Sequence, residues 1–124
     1  MSFFNKIFGN SGEQNPEVKF WNYIQSEEDL NKVTEESFKK KIVIFKHSTR
    51  CHISKIVLKN FENQVENSDK EAEYYFLDLL TYRNLSNKIA ETFGVEHQSP
   101  QLIILENGKA VKNASHQSIS LSLV

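Results

Sequence analysis

The chain is poor in cysteine, proline and glycine: its 124 residues include one cysteine, two prolines and four glycines. A single cysteine cannot form an internal disulfide, which excludes a small secreted domain held together by disulfide bonds. It also cannot build a cysteine-rich zinc or iron–sulfur site by itself. The cysteine is therefore either a small buried hydrophobic residue or a thiol that reacts with a partner from outside the chain.

Long hydrophobic runs and an excess of charge of one sign are also lacking. The apolar stretches are far shorter than the core of a signal peptide or the roughly 20 residues of a membrane-spanning helix. Lys and Arg number 15 and Asp and Glu number 16, so the net charge is −1. This balance gives no support for a nucleic-acid binder or a polybasic membrane surface. We therefore expect a cytoplasmic protein with no membrane span.

Hydrophobic residues, in contrast, are sufficient for one core. They make up 39% of the chain, and phenylalanine alone occurs nine times. Residues 1–17 are rich in turn-forming Gly, Asn and Ser and are predicted to be a leader, flexible or loosely docked. Residues 18–124 are predicted to form one domain.

Strand and helix patterns alternate through residues 18–124. The predicted strands are Val18–Ile24, the apolar run Lys41–Phe45, Ala72–Leu80, Leu102–Leu105 and Lys109–Ala114, the last two joined by the hairpin signal Asn107-Gly108. The predicted helical faces are Leu30, Val33 and Phe38 after the cap Ser26; Ile53, Ile56, Val57, Phe61 and Val65 after Cys51; Leu85, Ile89 and Phe93 before Gly94; and a last short helix Ile119–Val124 capped by Ser118. The order β-α-β-α-β-α-β-β-α predicts an α/β fold with a mixed central sheet and helices on both faces.

Cys51 lies where a buried strand is followed at once by the start of a helix. The free N–H groups and the dipole of a helix N-terminus stabilise a thiolate. Arg50 and His52 flank the cysteine, and residues 39–60 contain no Asp or Glu. Ser54 stands where a dithiol oxidoreductase has its second cysteine. Its hydroxyl can donate to the thiolate, but it cannot resolve a mixed disulfide.

Two other interpretations of this cysteine are weaker. A structural cysteine is expected among apolar residues, whereas this one lies in the polar sequence Ser-Thr-Arg-Cys-His. His47, Cys51 and His52 have no carboxylate or further ligand nearby in the sequence, so we predict no metal site. His47 is instead counted among the basic neighbours of the sulfur.

Several motifs resemble the YtxJ family of monothiol, bacilliredoxin-like proteins, which belong to the thioredoxin-like superfamily. They are His47-Ser-Thr-Arg-Cys-His-Ile-Ser54, Tyr82-Arg83, His97-Gln-Ser-Pro-Gln101, Asn107-Gly108 and Ser115-His116. The resemblance implies a cis peptide bond before Pro100, which the sequence pattern alone does not predict. It also implies no bound cofactor and the reduction of mixed disulfides between client proteins and bacillithiol. The family usually has a proline after the cysteine, where this chain has His52, an imidazole that stabilises the thiolate when protonated.

We therefore expect a monothiol thiol-disulfide oxidoreductase with a thioredoxin-like fold, a bacillithiol-like small thiol as co-substrate and S-thiolated client proteins as partners. The predicted catalytic residues are Cys51 and Ser54, and the predicted thiol- or substrate-binding residues are Thr49, Arg50, His52, Ser99, Pro100 and His116. His116 is included because the backbone at Ser115–Ser118, before the last predicted helix, could receive a carboxylate of the small thiol.

Three alternatives stay open. The first is a glutaredoxin-like carrier of an iron–sulfur cluster, which would use this cysteine from two subunits together with two external thiols. The second is a thioredoxin-like binding module without enzymatic activity, whose function would survive removal of the thiol. The third is a thiol trap or sensor that reacts without turning over.

Overall fold

A five-stranded sheet organises the part of the chain that the computed structural model describes, residues 20–69 and 71–124. Its strands are β1 (Trp21–Tyr23), β2 (Ile42–His47), β3 (Glu73–Asp78), β4 (Gln101–Glu106) and β5 (Lys109–Ser115). Their spatial order is β1-β3-β2-β4-β5. Strands β1 and β2 run parallel to β3, whereas β4 is antiparallel to both β2 and β5. The predicted mixed sheet is confirmed.

Three α-helices cover the two faces of the sheet. They are α1 (Glu27–Glu36), α2 (His52–Glu66) and α3 (Arg83–Phe93). Alternate residues of β2 divide between the faces: Val43 and Phe45 pack with α2, whereas Ile42 and Ile44 pack with α1 and α3. Because both faces are covered, all six residues of β2 are buried. None of the helices in the described ranges is long and apolar enough to cross a bilayer.

Several predicted boundaries are confirmed at the level of single residues. Ser26 caps α1, since its hydroxyl accepts a hydrogen bond from the Asp29 amide at 3.0 Å. Gly94 ends α3 in the left-handed conformation, with φ of 65°. Asn107 and Gly108 turn the β4–β5 hairpin with φ of 56° and 77°.

Other boundaries differ from the prediction. The first strand begins at Trp21, whereas Val18 and Lys19 lie outside the described residues, as does the whole predicted leader 1–17. The third strand is shorter at both ends than the predicted Ala72–Leu80. On α2, Ile53 and Ile56 are exposed, because the core face of the helix is Ser54, Val57, Phe61 and Val65.

Phe38 was wrongly placed on the buried face of the first helix. The helix ends at Glu36, and the Phe38 side chain is 62% exposed. Its ring lies instead against the β4–β5 turn, where a Cβ on Gly108 would come within 2.7 Å of the ring atom Cζ. Helical spacing predicted a core position because it carried the pattern past the end of the helix.

The predicted last helix, Ile119–Val124 with Ser118 as its cap, is also wrong. The chain forms two 3₁₀ turns instead, His116–Ser118 and Leu121–Leu123. Ile119 and Leu121 are buried in the core beside α2, and the Leu121 amide donates to Gln64 Oε1 at 2.8 Å. Packing both side chains inward favours an extended residue at Ile119 over a continuous helix.

Candidate active site around Cys51

Cys51 is the N-terminal cap of α2, at the end of the turn that follows β2. Its amide donates to the Ser48 carbonyl at 3.2 Å, and its carbonyl accepts from the Lys55 amide at 3.1 Å. The side chain is half-buried and makes no capping hydrogen bond. Cys51 therefore stands at the N-terminal end of a helix whose first turn contains no acidic residue, and such a helix end favours negative charge.

Ser54 has a different hydrogen-bond partner from the one expected. It is fully buried; its Oγ lies 2.7 Å from His47 Nδ1 and accepts from the Ser48 amide at 3.2 Å. A serine at this position can donate to the Cys51 thiolate, but the hydrogen bonds of Ser54 go to the last residue of β2 and to the turn. Ser54 therefore ties the start of α2 to the end of β2 and so holds the turn that carries the cysteine.

His47 is a site residue whose role the sequence analysis missed. It is 5% exposed, and its ring packs against Phe76 with 5.5 Å between ring centroids. Burial lowers the pKa of His47; Asp78 acts in the opposite direction, and Lys55 lowers the pKa further. His47 is thus held neutral and buried rather than adding positive charge beside the sulfur. The alternation of β2, which puts His47 on the same face as Phe45, was the signal available in the sequence.

Three of the predicted binding residues lie at the surface around the cysteine. Thr49 and Arg50 are exposed in the turn before it, and His52 is exposed at the first position of α2. Arg50 and His52 can therefore meet an anionic group that approaches the sulfur from solvent.

The peptide bond between Ser99 and Pro100 is cis, as the family resemblance implied. The Pro100 carbonyl accepts a hydrogen bond from the His116 amide at 3.1 Å. Pro100 is buried, and the Ser99 hydroxyl is buried with no partner among residues 20–69 and 71–124. This hydrogen bond therefore joins the loop before β4 to the residue that follows β5, next to the cis peptide bond.

His116 lies in the left-handed conformation, with φ of 55°, which is uncommon for a residue with a side chain. The helix that was expected to offer a carboxylate site after it does not form. The His116 amide is already bonded to the Pro100 carbonyl and is not free for the carboxylate that the prediction places on the backbone of Ser115–Ser118. The remaining argument for His116 is its place beside Pro100.

A shallow groove connects α2 with the 3₁₀ turn His116–Ser118. It has a volume of about 260 Å³ and is lined by Ile53, Ile56, Val57, Asn60, Gln117 and Ile119. Ile53 and Ile56 are 41% and 48% exposed and lie on the first turns after Cys51. This groove offers apolar contact to a molecule held at the sulfur. In the described part of the chain, no group of three or more His, Cys, Asp or Glu side chains could hold a metal ion.

Comparison with known proteins finds matches to this chain in both sequence and structure. Residues 22–124 match the family model described as monothiol bacilliredoxin BrxC. A solved candidate oxidoreductase with a thioredoxin fold is 31% identical, covers 83% of this chain and 88% of its own, and superposes with a TM-score of 0.73. Thioredoxin NaTrxh from Nicotiana alata is 19% identical over 84% and 87% of the two chains, with a TM-score of 0.63. The thioredoxin Mala s 13 from Malassezia sympodialis, also 19% identical over 86% and 87%, has a TM-score of 0.61. The last two likenesses show the thioredoxin fold alone.

Proposed function

Because the chain belongs to the monothiol bacilliredoxin family, we propose that it reduces mixed disulfides between client proteins and a small thiol through Cys51. The family points to bacillithiol as the thiol partner. The observation that carries the proposal is the position of the one cysteine: a half-buried N-cap at a positive helix end, with Ser54 at the position of a second thiol.

The reaction has two exchange steps. The Cys51 thiolate attacks the small-thiol sulfur of the modified protein; a new disulfide forms between Cys51 and the small thiol, and the client leaves as a thiolate that takes a proton. The thiolate of a second small-thiol molecule then attacks the small-thiol sulfur bound to Cys51. This step releases the Cys51 thiolate and a disulfide of two small thiols. The client cysteine is reduced, and one free small thiol is oxidised as it forms a disulfide with the small thiol that the client carried.

The surroundings of Cys51 support each step. The N-terminal end of α2 stabilises the sulfur both as the attacking thiolate and as the leaving group of the second step. Exposed Arg50 and His52 suit a small thiol that carries carboxylates, and the groove beside Ile53 and Ile56 suits the apolar surface of a client. Such chemistry requires a reducing compartment, so we place the protein in the cytoplasm.

The test is transfer of the small thiol from a protein that carries it. Purified chain is mixed with a bacillithiolated model protein, and intact mass spectrometry follows both partners. We expect the model protein to lose one small thiol while this chain gains one at Cys51, and added reduced bacillithiol should return the chain to its free mass. Cys51→Ser should show neither change. Cys51→Ala, which has no hydroxyl at this position, is a second control and should also show neither change.

The outcomes separate the alternatives. If Cys51 stays unmodified, the oxidoreductase assignment is wrong. If the adduct forms but reduced bacillithiol does not remove it, the chain is a thiol trap rather than an enzyme. Client binding that persists in Cys51→Ser without any transfer would identify a binding module instead. A visible absorption band after anaerobic reconstitution with iron and sulfide would favour the cluster carrier.

A further inference from the structure

A lysine is completely buried on the face of the sheet opposite to α2. Lys46 follows Ile44 by two residues on β2, so its side chain points toward α1 and α3. Its side chain is 0% exposed, and it is the one Lys, Arg, Asp or Glu that is buried within residues 20–69 and 71–124. Burial, with a smaller contribution from Arg83, lowers its pKa to about 8.

The local hydrogen bond does not explain why an ion is buried there. Lys46 Nζ donates to the Ser86 carbonyl at 3.0 Å, but that carbonyl lies inside α3, where a helical N–H four residues on is its regular partner. Burying an ammonium group is costly, and a well-packed apolar side chain of similar volume is often as stabilising or more so. A role beyond stability would account for the lysine.

Two buried neighbours of Lys46 hold the loop before β4. Ser86, which is fully buried, brings its Oγ within 3.1 Å of His97 Nδ1. Gln101 is paired with Lys46 across β2 and β4, and its Nε2 donates to the Glu96 carbonyl at 2.8 Å. Two successive residues of the loop are therefore held: Glu96 by Gln101 of β4, and His97 by Ser86 of α3.

Two further polar groups on this side of the sheet are Gln101 Oε1 and the ring of His97. Gln101 Oε1 is buried and has no partner among the described residues, and an ammonium group has three N–H donors. Because paired residues on neighbouring strands share a face of the sheet, Gln101 lies on the same face as Lys46. Burial first, and then the charges of Lys46 and Arg83, lower the pKa of His97, so its ring is held neutral as a partner for Ser86.

The loop so held ends at the cis bond. Ser99 and Pro100 follow His97 directly, and the Pro100 carbonyl accepts from the His116 amide beside the groove on α2. We propose that Lys46 is a positioning residue: through Ser86 and Gln101 it sets the place of the loop that carries Pro100. Through the hydrogen bond from His116 to Pro100 it thereby sets the shape of the groove between α2 and the 3₁₀ turn His116–Ser118. The inference rests on the proposed function for its kinetic consequence only.

The test compares Lys46→Met with Ile44→Met, which places the same side chain two residues away on the same face of β2. Four quantities are measured: melting temperature, hydrogen exchange of the His116 amide by NMR, kcat and KM for small-thiol transfer, and the rate of Cys51 alkylation by iodoacetamide. For Lys46→Met we expect an unchanged or higher melting temperature and amide exchange about tenfold faster, equivalent to about a tenfold change in the local opening constant.

We also expect Lys46→Met to lower kcat/KM for transfer about tenfold, mostly through KM, because the variant acts on the shape of the groove and not on the sulfur. Alkylation of Cys51 by the small reagent should stay within about twofold of the wild type for the same reason. Ile44→Met should leave the amide exchange, the transfer kinetics and the alkylation rate near wild type.

Wild-type amide exchange at His116 together with wild-type kcat/KM in Lys46→Met would overturn the proposal. Equal losses in alkylation and transfer would also overturn it, because Lys46 would then act on the sulfur directly. Should Lys46→Met fail to fold, Ser86→Ala removes the His97 contact without touching the buried charge, and unchanged amide exchange there rejects the connection. If the wild type transfers no small thiol, the proposed function is wrong. The amide exchange of His116 in Lys46→Met still tests the positioning role of Lys46.

Discussion

At the scale of single residues, the position at which a dithiol oxidoreductase has its second cysteine has a structural role in this chain. Ser54 occupies that position and is fully buried between His47 and the Ser48 amide. Here it connects the last residue of β2 to the first turn of α2. The turn that presents Cys51 is thus held by neutral hydrogen bonds.

Ser54→Ala should therefore destabilise the fold. It leaves the Ser48 amide and His47 Nδ1 without their partner in a buried setting, which costs about 1–3 kcal/mol of unfolding free energy. Urea unfolding measures the loss. Ser118→Ala is the matched control, because Ser118 is exposed, and it should change the stability by less than about 0.5 kcal/mol. Equal stability of the two variants would show that the buried hydrogen bonds contribute nothing net.

At the scale of elements, the sequence predicts those strands, caps and turns that depend on interactions within a few residues. The apolar run of β2, the Ser26 cap, Gly94 and Asn107-Gly108 each act within a few residues, and each was predicted correctly. The predicted core position of Phe38 is wrong because the ring packs against the turn at Gly108, which is distant in sequence.

The β4–β5 turn gives a direct measure of that distant contact. Gly108→Ala should cost more stability than Gly94→Ala, although both glycines have positive φ. At Gly94 nothing lies within 4 Å of an added Cβ, so only the left-handed conformation is penalised, by roughly 1–2 kcal/mol. At Gly108 the added Cβ also meets the Phe38 ring at 2.7 Å. Thermal unfolding of both variants in the wild-type and Phe38→Ala backgrounds checks this. The extra cost at Gly108 should disappear without the ring, and persistence of the full difference would contradict a steric origin.

At the scale of the whole molecule, the two faces of the sheet divide the polar groups. On the α2 face, the end of β2 carries neutral His47 beside the Cys51 turn, and on the other face it carries Lys46 beneath the Pro100 loop. The position of Cys51 at a helix start follows from the sequence pattern, whereas the cis bond was implied only by the resemblance of several motifs to a known family. The partners of Ser54, His97 and Gln101 could not be predicted, because each is set by how strands and helices meet across the sheet.

The buried histidines also predict how stability depends on pH. The pKa values of His47 and His97 are lowered in the fold, in both cases chiefly by burial. Below the unfolded pKa of about 6.5, the unfolded chain binds more protons than the folded chain, so the unfolding free energy decreases as pH falls. We expect the melting temperature to fall from pH 7 to pH 5.5, a range below the folded pKa of Lys46, which is about 8. His47→Asn/His97→Asn, which keeps polar atoms near both hydrogen bonds, should lose most of this dependence.

Glu62 makes it necessary to measure the difference between the two proteins rather than the wild type alone. Burial raises the pKa of Glu62, so the folded state takes up a proton more readily there, and this group favours the fold as pH falls. Both proteins contain Glu62, and its contribution cancels when the double variant is subtracted from the wild type at each pH. A difference that stays constant between pH 7 and pH 5.5 would mean that neither ring is held neutral by its burial. A difference that grows toward low pH, with the wild type losing more stability, identifies the two rings as the groups that must stay uncharged for the Cys51 turn and the Pro100 loop to keep their hydrogen bonds.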